Sequence, residues 1–166
     1  MRKTFILATL ATAGCSGSTT EPPPPPIVGG VPTTAPELFR WLEAGQYRGF
    51  ARESAAHPSA GPHPVNVIAY LNGTLHQSLE AGTPRHPIGA AAVKELFSTA
   101  GALRGWAVMV KIRDDRQDGS AWYWYEVLSR DPSRENNPDF AGVGLTLCSG
   151  CHASGRDFIR IPFPLR

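Results

Sequence analysis

Hydrophobic and polar positions alternate along this chain in two rhythms, one helical and one of period two. Leu38, Phe39, Trp41 and Leu42 recur at helical spacing behind Ala35-Pro36-Glu37, whose proline and acid suit a first helical turn, and Gly45 can end the helix. Tyr47 to Ala56 predicts a second short helical piece, and the proline-rich stretch His57 to Pro64 predicts a loop. From Val65 the pattern changes. Val65 to Leu71 predicts a strand, Asn72-Gly73-Thr74 a break, and Leu75 to Ala81 a short helix closed by Gly82. Thr83 to Gly89 predicts a proline-containing loop. Ala90 to Phe97 predicts a second strand, although Lys94-Glu95-Leu96 would also suit a helix.

The clearest alternation lies further on. Trp106 to Arg113 and Ala121 to Leu128 predict two strands joined by the polar turn Asp114 to Ser120. Ala107, Met109 and Lys111 share one face of the first strand; Trp106, Val108, Val110 and Ile112 share the other. On the second strand Trp122, Trp124, Glu126 and Leu128 oppose Tyr123, Tyr125 and Val127. Both faces carry large apolar groups, so the sheet should be covered on both sides, one of them by a cofactor or a second subunit. Ser129 to Asp139 reads as a polar loop, Leu145 to Ser154 as a helix, and Asp157 to Arg166 as an extended tail in which Pro162 and Pro164 prevent a helix. The predicted class is α+β: an antiparallel β-sheet with flanking helices and a C-terminal helix.

The first 34 residues carry no such pattern. Arg2 and Lys3 precede a short apolar run, Phe5 to Ala13, which is too short to span a bilayer and reads as a signal peptide over residues 1–14. Thr12-Ala13-Gly14-Cys15 places small residues directly before a cysteine, as in a bacterial lipobox, with Leu10 two residues earlier than the usual leucine. Cys15 would then be the lipidated first residue of a periplasmic protein, and Ser16 behind it favours the outer membrane. Residues 15–36, with prolines 22–26, read as a stiff linker, and 37–166 as one domain.

Composition narrows the function. The 166 residues carry a formal charge of +2 and have no Lys/Arg run that could track a phosphate backbone, so nucleic acid is not an expected partner. Three cysteines are present: Cys15 and the pair in Cys148-Ser149-Gly150-Cys151-His152. Cys-x-x-Cys-His is the attachment signature for c-type haem. On a helix, Cys148, Cys151 and His152 fall at i, i+3 and i+4 on one face, so two thiols can add to the haem vinyl groups while the imidazole reaches the iron. A structural zinc site would need four ligands, and a thioredoxin-like pair a strand–helix setting near the start of a fold. An export signal favours one covalent haem c, which is attached outside the cytoplasm.

The sixth iron position is less defined. No Met or His follows His152, and Met109, the sole Met besides the initiator, sits mid-strand. His57, His63, His76 and His86 are candidates, each in a predicted loop or short helix and each readable as an ordinary loop histidine. The expected distal side is open or weakly filled, which suits small-ligand binding or chemistry, whereas a closed six-coordinate iron carries electrons.

The order of pieces resembles the cytochrome P-460 family and its relative cytochrome c-prime-beta. The resemblance runs from Val65 to about Ile159. It comprises Val67-Ile68-Ala69-Tyr70-Leu71-Asn72, the helix after it, Pro87-Ile88-Gly89 leading to Val93-Lys94-Glu95, the Trp- and Tyr-rich hairpin, the late Cys148–His152 motif and Asp157-Phe158. It implies a mostly antiparallel sheet, often in a dimer, and a five-coordinate haem. P-460 members oxidise hydroxylamine and cross-link a lysine to the haem; c-prime-beta members lack that bond and bind nitric oxide or carbon monoxide. Lys94 matches the family's strand lysine, with Lys111 second; the plainer role for Lys94 is a solvated partner of Glu95. Glu126, beside Trp122 and Trp124, is the candidate proton acceptor, and its plainer role is an ion pair with Arg130 or Lys111. Phe97, Trp106 or Trp124 could instead form an apolar distal wall. Three functions follow: an oxidoreductase acting on hydroxylamine or nitric oxide and served by a redox partner protein, a gas binder without turnover, and an electron carrier.

Overall fold

A computed structural model describes residues 26–166. The signal-peptide and lipidation readings, Cys15 included, lie outside the described residues. Nine strands and three helices occur among them: β1 (Ile27–Val28), β2 (Val31–Pro32), α1 (Ala35–Glu43), β3 (Ala51–Arg52), β4 (His57–Pro58), β5 (Asn66–Leu71), α2 (Gly73–Glu80), β6 (Ala91–Phe97), β7 (Leu103–Lys111), β8 (Trp122–Val127), β9 (Phe140–Val143) and α3 (Thr146–His152). The large sheet is antiparallel throughout, in the order β3-β5-β6-β7-β8-β9, with β4 also pairing to β5. This is the predicted α+β class.

Alternation gives the sheet two different coats. Ile68, Tyr70, Val93, Trp106, Val108, Val110, Tyr123 and Tyr125 point to one face and pack with Leu38, Phe39 and Leu42 of α1. Each such side chain withdrawn from water contributes about 1.5–3 kcal/mol. Pro36 starts α1, and Thr34 donates its hydroxyl to Glu37 at 2.8 Å. On the other face Leu75 and Leu79 of α2 cover Leu71, Ala92, Met109, Trp122 and Trp124 at one end. Asn72, expected only to break the strand, caps α2: its side chain accepts from Leu75 N–H at 3.0 Å. The far end of this second face is left to the chain's C-terminal part.

Several expectations need correction. Residues up to 36 are not all linker, because β1 and β2 form a hairpin whose Val28 and Val31 are buried in the first core. Its turn, Gly29-Gly30, has φ of 60° and 79°, and a Cβ on Gly29 would lie 2.2 Å from the Gly89 carbonyl oxygen. The helical piece predicted over Tyr47 to Ala56 is a single 3-10 turn at Gln46–Gly49 followed by β3. The sheet edge captures β3 and also His57–Pro58 from the expected loop, because β5 offers unpaired backbone groups there. Strand β9, not anticipated, pairs with β8 at the opposite edge.

Candidate functional site

The second sheet face hollows out because its residues become small. In the cross-strand row Ala69–Lys94–Ala107–Glu126, alanines lie on either side of Lys94, and Ala92 and Met109 occupy the next row. Adjacent strands lie about 4.8 Å apart, so Lys94 and Glu126, two strands apart, are separated by roughly 10 Å at their Cα atoms. Above this floor is a cavity of about 430 Å³ whose wall includes Cys148, Cys151 and His152. The tail residues Ile161, Pro162 and Arg166 line another side, and Ser54 N–H donates to the Arg166 carbonyl at 2.7 Å.

Two glycines set where α3 docks. A Cβ on Gly119 would stand 2.2 Å from Cβ of Ser149, between Cys148 and Cys151, so only glycine lets α3 approach the turn before β8. Gly144, with φ of 66°, faces Ser120 less tightly: a Cβ there would lie 3.1 Å from Ser120 Cα. Trp124 Nε1 donates to the Gly119 carbonyl at 3.0 Å and fixes that turn from the sheet side.

His152 is partly buried, with its ring 5.0 Å from the Trp124 ring in an edge-on contact. Its Nδ1 donates to the Phe158 carbonyl at 2.8 Å, and no described protein group bonds Nε2. Burial pushes its pKa down to about 4, against the raising effect of the Phe158 carbonyl and with help from Lys94, His63 and Arg160. The imidazole is therefore neutral at physiological pH, the form that binds a metal. Cys148 and Cys151 are free thiols, and burial raises the Cys148 pKa to about 11.

Lys94 and Glu126 both line the cavity. Burial pulls the Lys94 pKa below its ordinary value, while Glu53 and Glu126 act the other way. Lys94 does not pair with Glu95, which points to the opposite face and accepts from Tyr47 at 2.5 Å and Tyr70 at 3.1 Å. Glu126 pairs with neither Arg130 nor Lys111: Arg130 is held by Glu43, Lys111 by Asp157, and Glu126 Oε1 lies 3.3 Å from His63 Nδ1. Lys111 is thereby removed as a cavity lysine. Phe97 and Trp106 belong to the other core, so of the three aromatic candidates Trp124 lines the cavity, together with Phe140.

The four candidate histidines separate. His57 bonds Glu53, His76 packs on Phe163, and His86 is buried between Ser78 and the Arg156 carbonyl. His57 and His63 both line the cavity, and among the described residues it is His63 whose ring contacts His152, with centroids 6.4 Å apart. No group of three or more His, Cys, Asp or Glu that could hold a metal by itself occurs among the described residues, so the donors of a structural zinc site are not assembled there. Sequence reading missed Glu53, the His63–Glu126 contact and the role of Phe158. His63, Glu126 and the Asp157-Phe158 pair had each been singled out, but not their contacts.

No protein-family model matches the chain, and no curated protein matches it either. Fold and site together define an α+β domain with a cavity on one sheet face, closed by a helix that bears Cys-x-x-Cys-His. No helix among the described residues is long and apolar enough to cross a membrane.

Proposed function

We propose that the chain is an exported c-type haem protein of the cytochrome P-460 kind, acting on hydroxylamine or nitric oxide in the periplasm. The residues that would hold one haem c are Cys148 and Cys151, through their thiols, and His152, through its imidazole. The lipid anchor would be Cys15, holding the domain at the outer membrane on its proline-rich spacer, and a redox partner protein would take the electrons. One observation carries this reading: two unbridged thiols, a neutral imidazole with its Nε2 unengaged, a lysine and a glutamate all line the same cavity.

The donor set fits the group. The Phe158 carbonyl holds His152 Nδ1–H, which selects the tautomer that presents Nε2. The alanine and methionine floor supplies the apolar contact a porphyrin needs. When bound, the haem supplies an iron centre that takes a small ligand and exchanges electrons. The remaining work falls to side chains. Glu126 accepts a proton from an N–H or O–H presented in the cavity, and Lys94 offers an amine whose charged form burial disfavours. A gas binder without turnover is the alternative; two ionisable side chains in the cavity, Lys94 and Glu126, favour proton-coupled chemistry over it.

The test is maturation of the full chain in a host that ligates haem. Haem should remain on the denatured chain, leave it when Cys148 and Cys151 are both changed to Ser, and accompany hydroxylamine-dependent reduction of an electron acceptor. Colourless wild-type protein would overturn the reading.

A further inference from the structure

We infer that His63 is a second, displaceable axial ligand of the iron, bound through Nε2 on the side opposite His152. This rests on the haem reading above and departs from the five-coordinate iron that the family resemblance implies.

The spacing of the two rings carries the inference. A metal bonded to an imidazole nitrogen at about 2 Å stands about 3.2 Å from that ring's centre, so two imidazoles flanking one metal have centroids about 6.3 Å apart. The His63 and His152 centroids are 6.4 Å apart, with the rings crossed at 73°. The hydrogen bonds agree. His152 Nδ1 is engaged by the Phe158 carbonyl and His63 Nδ1 by Glu126, at 2.8 and 3.3 Å. Each ring is left with Nε2, and each has the outer partner that orients metal-bound histidines.

The local chain supports a held but releasable ligand. The His63 side chain is only 16% exposed, although it sits between Pro62 and Pro64 in an irregular segment. That segment is tied at its base, where Ser59 N–H donates to the Val65 carbonyl at 3.0 Å. Among the described residues only the Glu126 contact engages the ring's polar atoms, so besides the iron bond an incoming ligand has one weak contact to break. Departure of His63 would free Glu126 Oε1 beside the iron, coupling ligand entry to exposure of the proton acceptor.

The test uses the full chain matured with haem, and compares wild type with His63→Gly and with the α2 variant His76→Gly. Wild-type ferric protein should show a low-spin spectrum, as should H76G. H63G should be high-spin and return to low-spin on adding imidazole, which also shows that the variant is folded. After reduction, carbon monoxide binding to wild type should reach a rate limit set by His63 release, while H63G should respond linearly to carbon monoxide concentration. A high-spin wild type that His63→Gly leaves unchanged overturns the inference but not the haem reading. A low-spin spectrum that survives in H63G also overturns it. Absence of covalent haem from wild type removes both.

Discussion

Lys111 Nζ lies 3.0 and 2.9 Å from the two carboxylate oxygens of Asp157, an ion pair joining the centre of the sheet to the loop behind α3 with the Lys111 side chain fully buried. Asp157 also accepts from His86 N–H at 2.8 Å. Asp157 and Phe158 adopt left-handed backbone, with φ of 44° and 70°. Such residues cost about 1–3 kcal/mol each and persist only where the surroundings hold them. The pair therefore holds the strained loop whose Phe158 carbonyl orients His152.

Asp157→Asn should be strongly destabilising, because it strands the Lys111 cation without a counter-charge; the expected loss is about 3–5 kcal/mol in urea unfolding. The double variant Lys111→Met, Asp157→Asn should recover part of that loss. An additive pair of effects would show that the two side chains are not coupled.

Gly119→Ala should push α3 away from β8. The added Cβ meets Ser149 Cβ, which belongs to the helix rather than to a flexible side-chain tip. The cost expected for overpacking is about 1–3 kcal/mol, with a fall in the fraction of chain that acquires haem. Haem content measured against total protein, with unfolding of the same samples, checks both effects.

Glu126→Gln should retain haem yet reduce hydroxylamine turnover by about 10²-fold or more, the usual effect of losing a positioned proton acceptor. Steady-state kinetics at matched haem content gives the answer. Turnover equal to wild type would remove Glu126 from the mechanism.

Lys94→Met should leave stability near neutral pH unchanged or slightly higher, since a buried cation is replaced by an apolar chain of similar length. Lys94 has a lowered pKa in the folded chain, so the unfolded chain binds more protons between that value and the ordinary one of about 10.4. Wild-type stability should thus gain from this group as pH rises through that window, and the gain should vanish in K94M.

His86 makes the corresponding prediction in acid. Burial lowers its pKa, partly offset by Asp157 and the Arg156 carbonyl. Below about pH 6.5 the unfolded chain takes up the proton more readily, so stability should fall as pH drops through that value. His86→Gln should make the decline shallower when urea midpoints are compared at pH 7 and pH 5.

Much of the fold was legible because its signals are local. The β7–β8 hairpin shows in two runs rich in β-branched and aromatic residues around a polar turn, and α1 shows in its proline, acid and apolar spacing. The short edge strands β3, β4 and β9 were not legible, since two to four residues carry too little periodicity and their pairing depends on which edge is free. The core role of the β1–β2 hairpin was hidden by its Gly/Pro-rich surroundings, which interrupt the short apolar signal of Ile27, Val28 and Val31.

The amino-acid sequence by itself determined the Cys-x-x-Cys-His motif, the strand and helix order from β5 to β8, and the two-faced hairpin. Each of these rests on spacing within a few residues, which backbone geometry converts directly into a face or a turn. Tertiary structure alone decided that Lys94, Glu126 and His63 share a cavity with that motif, and that Lys111 belongs to Asp157 instead. Those outcomes depend on strand register and on how closely α3 can approach Gly119, relationships between distant positions that no local pattern encodes.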